Sequence, residues 1–143
     1  MDIRAYRPSD EDEVVSLWEE SGLARPWNDP RKDIARKLLV QPELFLVGTL
    51  AGQVIATAMA GYDGHRGWVN YLAVAPGSRG RGCGRAMMER IEHLLVSFGC
   101  PKVNIQVRSS NEEALAFYRA IGYAQEEIIS LGKRLIRDDR SPV

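Results

Sequence analysis

Val74-Ala75-Pro76-Gly77-Ser78-Arg79-Gly80-Arg81-Gly82-Cys83-Gly84-Arg85 joins an apolar stretch, residues 68–74, to a run with helical periodicity, residues 82–99. Pro76 stops the first. Met87, Ile91, Leu94, Leu95 and Phe98 form the apolar face of the second, which ends at Gly99 and Pro101. A strand that feeds a helix through a turn rich in Gly and Arg is a place for an anion. Helix starts carry unpaired N–H groups and a partial positive charge. Glycines let the backbone approach a phosphate closely, and Arg79, Arg81 and Arg85 add charge to the same spot. Taken alone, so short a motif is equally compatible with a tight turn whose arginines face solvent.

Two common phosphate motifs do not match. A P-loop needs Lys followed by Ser or Thr after Gly82, where Cys83-Gly84 stands. A dinucleotide fingerprint read from Gly80 needs Gly or Ala at Arg85 and an acidic end to the next strand, where Gln106 and Val107 sit.

Working outward, residues 103–107 read as a short, mostly buried strand, so strand, long helix and strand make a βαβ unit with parallel strands. Upstream, residues 3–7 alternate as a first strand, and Pro8-Ser9-Asp10 opens a helix with Val14, Leu17 and Trp18 on its apolar face, stopped by Gly22. Asp29 before Pro30 is a cap and first-turn signal for a second helix carrying Ile34 and Leu38 and ending before Pro42. Residues 44–50 and 53–62 flank Ala51-Gly52, a two-residue hairpin. Downstream, Ser110-Asn111-Glu112-Glu113 fits a capping box before a helix with Ala114, Phe117, Tyr118 and Ile121 on one face. A last strand is expected over 125–131, and the alternating charges of 137–140 read as a solvated tail. The order is β-α-α-β-β-β-α-β-α-β. It predicts an α/β fold of the α+β type, a mixed sheet with helices packed on it.

Composition narrows the function. The 143 residues suit one domain over 1–143, and Lys plus Arg equal Asp plus Glu at 19 each, so no net field draws in nucleic acid or a membrane surface. No apolar run reaches the roughly 20 residues of a membrane span, and Met1-Asp2-Ile3-Arg4 does not read as a signal peptide, so a cytoplasmic protein is expected. Cys83 and Cys100 are not spaced as a metal or redox pair and are expected to stay reduced, and no metal is expected.

Val74-x-Pro76 followed by Arg79-x-x-Gly82-x-Gly84 resembles the acetyl-CoA pyrophosphate loop of the GNAT N-acetyltransferases. Asn111-x-x-Ala114-x-x-Phe117-Tyr118-x-x-x-Gly122-Tyr123 resembles their second signature helix. Both recur in the family's order over residues 68–123, and the upstream elements agree. The resemblance implies the GNAT fold: a mixed central sheet with helices on both faces and a parallel strand pair that splays apart. It implies acetyl-CoA as cosubstrate and an amine acceptor, with room for a homodimer. Backbone groups of Leu72, Ala73 and Val74 would then hold the pantetheine arm and the acetyl carbonyl. Arg79, Gly80, Arg81, Gly82, Cys83, Gly84 and Arg85 would hold the pyrophosphate, and Asn111 would contact the cofactor arm. Unpaired strand groups need partners, and an N–H aimed at the thioester oxygen would stabilise the developing oxyanion.

Tyr118 takes the role of general acid in this resemblance. A thiolate leaving group has a pKa near ~8.5, and a phenol near ~10 stays protonated at neutral pH. Periodicity alone would make Tyr118 a core residue. Some relatives that acetylate protein N-termini carry Glu where this chain has Gln106, which takes up no proton at neutral pH. The base is therefore open, and so is the acceptor: a small-molecule amine or a peptide or protein amine. Trp27, Asn28 and Asp29 occupy the loop that borders the acceptor site in relatives, while Asp63, His65 and His93 read as surface residues. A non-catalytic acyl-CoA-binding sensor on the same fold is the alternative.

Overall fold

Side chains alternate across three consecutive strands and so divide the apolar residues between two cores, one on each face of a sheet. The computed structural model describes residues 1–139. In it β1 is Asp2–Ala5, β2 Phe45–Leu50, β3 Gln53–Tyr62, β4 Gly67–Val74 and β5 Val103–Asn104, in the spatial order β1-β2-β3-β4-β5. The first four pair antiparallel and β4 pairs parallel with β5. Ala51 and Gly52 both have positive φ, +51° and +78°, the turn whose twist matches a hairpin.

Phe45, Val47, Met59 and Ala73 face one core with Val14, Leu17 and Trp18 of α1 (Glu11–Glu20) and Ile34 of α2 (Pro30–Lys37). Leu46, Ala56, Ala58, Ala60 and Val69 face the other with Met87, Met88, Ile91 and Leu95 of α3 (Cys83–Ser97). Phe117, Tyr118 and Ile121, from α4 (Glu112–Ala120) and its C-cap, pack against that second core. Helices thus cover both faces. Asp10 is buried at the end of a 3-10 turn, where Arg4 and the Arg7 N–H hold its carboxyl below the usual carboxylate range.

Several boundaries differ from those read in the sequence. The first strand is shorter, and the strand predicted over 103–107 pairs only at Gly67↔Val103 and Trp68↔Asn104. Lys37 turns inward and is 9% exposed while Leu38 turns outward, because α2 ends there and the ammonium reaches the Ala60 carbonyl. Phe98, just past α3, is 42% exposed and does not extend its apolar face. Asn111, not Ser110, caps α4: its Oδ1 accepts the Ala114 N–H at 3.1 Å.

The strand expected over 125–131 does not form. Period-two alternation shows which residues share a face but names no pairing partner. The segment runs beside β5 on side-chain ties alone: Lys102 and Asn104 reach Glu126, and Gln106 donates to Ser130. Ile128, Ile129 and Leu131 remain exposed.

The tail is not solvated throughout, although Arg140 lies outside the described residues. The Asp138 side chain is 1% exposed, paired with Arg36 and Arg134, and accepts the Asp29 N–H. Those donors hold its carboxyl well below the usual range, so its contribution is present above pH ~4 and fades only as acid protonates it. Asp138→Ala should therefore speed hydrogen exchange of the Asp29 amide at neutral pH while α3 stays protected. An unchanged Asp29 rate would show that this contact does not hold the tail against α2.

Candidate active site

The site begins at an irregularity in β4. Thr57 pairs with Ala73 but Met59 with Asn70, so β4 carries one extra residue, and Tyr71 sits at φ +53°. A bulky residue in that region costs about 1–3 kcal/mol unless its surroundings hold it. Here they do. Trp18, fully buried, stacks on the Tyr71 ring at 3.9 Å, and its Nε1 donates to Thr57 Oγ1 at 2.8 Å. Thr57 donates in turn to the Tyr71 carbonyl at 2.8 Å, and the Tyr71 hydroxyl donates to Asp33 Oδ2 at 2.5 Å. Burial and the Asp33 carboxylate together push the Tyr71 phenol pKa up.

The bulge turns the strand. Val69 faces the α3 core, whereas two residues on Tyr71 packs against the α1 core, and Leu72 and Val74 return to the α3 side. Bulges re-aim side chains and end pairing in this way. No ladder joins β4 to β5 beyond Trp68, so the edge of β4 along residues 70–74 is open on that side. Leu72, Ala73 and Val74 all lie on this open stretch.

A 3-10 turn, Pro76–Ser78, leads from β4 to the glycine-arginine loop. Gly80 and Gly82 adopt φ +76° and +79°, and Gly82 is the N-cap of α3. The backbone N–H groups of residues 80–85 have no acceptor among the described residues, and the first turn of α3 holds no acidic side chain. Unpaired N–H groups of this kind at a helix start can hold an anion.

The arginines divide. Arg79 Nε donates to the Val74 carbonyl at 3.1 Å, and Arg85 reaches the Ala120 carbonyl at the end of α4 at 3.4 Å. Arg81 is exposed and without a protein partner among the described residues. Cys83 is a half-buried free thiol.

Gly84 locks α4 onto this loop. A Cβ there would sit 3.1 Å from the Phe117 ring, so tight that the ring would have to give by a few tenths of an ångström. A Cβ on Gly82 would meet nothing within 4 Å. The two glycines thus differ: one makes room for α4, the other keeps the space over the amides clear.

Tyr118 follows Phe117 on α4, edge-on to Phe117 at 5.1 Å and to Tyr123 at 5.8 Å. The Tyr123 hydroxyl donates to Glu92 at 2.6 Å, but the Tyr118 hydroxyl has no partner among the described residues. Burial pushes the Tyr118 pKa up to about 12. Asn111 uses Oδ1 as cap, which leaves its side-chain amide N–H groups free.

On the other face, behind the bulge, lies a cleft of about 450 Å³ between α2 and β4. Asn28 and Asp33 line it, as do Asn70 and Tyr71. Neighbouring loop residues are spoken for: Trp27 lies under Arg108 at 5.7 Å, Asn28 accepts from Arg134 at 2.6 Å, and Asp29 caps α2. Asp63 stays in its turn, accepting N–H groups of His65 and Arg66. Asp33, Tyr71 and Asp138 are the residues sequence reasoning missed. Asp33 reads as an ordinary first-turn acid, and nothing in a tyrosine signals positive φ.

Comparison with known proteins shows the family and the fold. The sequence profile described as "Acetyltransferase (GNAT) family" matches residues 10–123. "Acetyltransferase SG1711" of Sodalis glossinidius (strain morsitans) is 49% identical over 139 residues, covering 96% of this chain and 98% of that one. Among solved structures, Ard1 from Thermoplasma volcanium superposes with a TM-score of 0.76 at 27% identity, over 86% of this chain and 82% of that one. AAC(6')-Iy, solved with the bisubstrate analogue CoA-S-monomethyl-acetylneamine, superposes at 0.77 and 18% identity over 94% and 98% of the two chains, and that likeness concerns the fold.

Proposed function

The chain belongs to the acetyltransferase (GNAT) family and is an acetyltransferase, and from that premise we propose that it moves an acetyl group from acetyl-CoA to a primary amine by direct attack. The observation that carries this reading is the run of acceptor-less amides at 80–85, next to a strand edge left open at 70–74. A diphosphate needs the first and an extended amide-bearing arm needs the second.

In this reading the pyrophosphate rests on amides 80–85, with Arg81 free to add charge. The pantetheine arm lies along Leu72, Ala73 and Val74, with the Asn111 amide beside it. The neutral amine attacks the thioester carbonyl from the α2 side of the bulge, and a strand N–H donates to the oxyanion. The C–S bond breaks as the Tyr118 hydroxyl gives its proton to the departing thiolate, and the proton shed by the new amide nitrogen returns through solvent to the phenol. Neither cysteine lies in a nucleophile–base pair, so no acetyl-enzyme is needed. Gln106 donates to Ser130 and takes no part in proton removal. The acceptor is a small-molecule amine or a peptide or protein amine.

Affinity should depend on charge at the loop. Binding of CoA should weaken as salt rises, whereas pantetheine should bind far more weakly and with little salt dependence, as titration calorimetry at two ionic strengths would report. Pantetheine that binds as tightly as CoA would remove the loop from cofactor binding.

A further inference from the structure

One carboxylate faces the cleft behind the bulge. Among the described residues Asp33 is the only acidic side chain that lines it, and at 21% exposure it is reachable from the cleft. The two cations of the lining are occupied. Lys37 donates to the buried Ala60 carbonyl, and burial lowers its pKa. Arg36 is shared between Asp33 Oδ1 at 3.0 Å and the more deeply buried Asp138, to which it gives two bonds.

Each carboxylate oxygen accepts about two hydrogen bonds. Asp33 Oδ1 has one from Arg36 and Oδ2 one from Tyr71, so each keeps room for another donor. Asn70, also on the cleft, has no side-chain partner among the described residues. Val40 and Met59 supply an apolar wall beside them. Residues 70 and 71 begin the open edge at 70–74, so a ligand held here lies against the strand on which the acetyl group would be placed.

We propose that Asp33 is the acceptor-binding residue, holding an ammonium of the acceptor other than the amine that attacks, on a short alkyl chain whose methylenes lie on Val40 and Met59. The inference rests on the acetyl-transfer reading. A fixed carboxylate with spare acceptor capacity is matched by the three N–H donors of an ammonium, and charge-assisted bonds of this kind are the strong ones.

The test titrates n-propylammonium chloride, and separately 1-propanol, into isotope-labelled, CoA-loaded full-length protein followed by NMR. Propylammonium should shift the amides of Asp33, Asn70 and Tyr71 saturably, propanol should not, and Asp33→Asn should abolish the response. Tyr71→Phe, which keeps the carboxylate, should retain it. With any acceptor that carries a second ammonium and that the wild type acetylates, Asp33→Asn should raise the acceptor KM by about tenfold or more and leave the acetyl-CoA KM unchanged. Equal shifts from propanol, or an undiminished response in Asp33→Asn, overturns the assignment. So does loss of the response in a folded Tyr71→Phe, which would make Asp33 only the support of a tyrosine. CoA-induced shifts at 80–85 report separately: their absence would overturn the acetyl-transfer reading, and their presence without a propylammonium response would overturn Asp33 alone.

Discussion

Tyr118→Phe should lower turnover by about 10²–10⁴-fold with acetyl-CoA affinity near normal, the loss typical of a missing general acid. The substitution keeps the ring and its edge contacts to Phe117 and Tyr123 and removes only a hydroxyl that bonds to nothing among the described residues. Packing alone therefore predicts almost no effect. Burial places the phenol pKa at about 12, so Tyr118 is a protonated donor throughout the assay range and should produce no loss of rate between pH 7 and pH ~10. A phenol raised in the folded state stabilises fully below its unfolded pKa near ~10 and loses that contribution as pH climbs toward 12. Assays below pH ~9 thus separate chemistry from stability. Near-normal turnover in folded Tyr118→Phe would leave the thiolate to depart unprotonated or to take its proton from water.

Much of the fold was legible because it rests on local chemistry. Ala51-Gly52 signals a tight hairpin and Asp29-Pro30 a helix start, and both stand in the structure. The period of α3 and α4 marks the faces that pack on the sheet, although Phe98 is exposed and α4 is only half-buried. The strand–loop–helix around Gly82 was legible for the same reason, since a helix N-terminus after glycines is itself the feature that binds an anion.

What stayed hidden depends on contacts between distant parts of the chain. The bulge at Tyr71 is stabilised by Trp18 and Asp33, 53 and 38 positions away (71 − 18 and 71 − 33), and no local pattern encodes it. Asp138 is buried only because Arg36 and the Asp29 N–H meet it across 102 and 109 positions. The segment over 125–131 has the alternation of a strand, but side chains rather than backbone tie it to β5. The close approach of Phe117 to Gly84, where a Cβ would sit 3.1 Å from the ring, is likewise a contact across the chain that the local glycine pattern does not encode.

Gly82 carries the other large expected effect, since its φ of +79° and the empty space where a Cβ would stand both serve the unpaired amides. A β-branched side chain there would project into that space and disfavour the backbone that aims the N–H groups. Saturating acetyl-CoA at about 100 times its Kd should stabilise the wild type by about 2.7 kcal/mol, a rise in Tm of roughly 5–10 °C for a chain of this size. Gly82→Val should lose nearly all of that rise. Its own Tm without ligand should also fall, because any non-glycine residue is strained at this φ. Gly64→Val supplies the control, being at φ +92° with open space around it but in the turn before β4, far along the chain from the loop. The most direct measurement is therefore the acetyl-CoA-induced change in Tm for wild type, Gly64→Val and Gly82→Val side by side. A full rise in the first two with almost none in the third is the predicted result; a full rise in Gly82→Val would contradict the placement of acetyl-CoA on this loop.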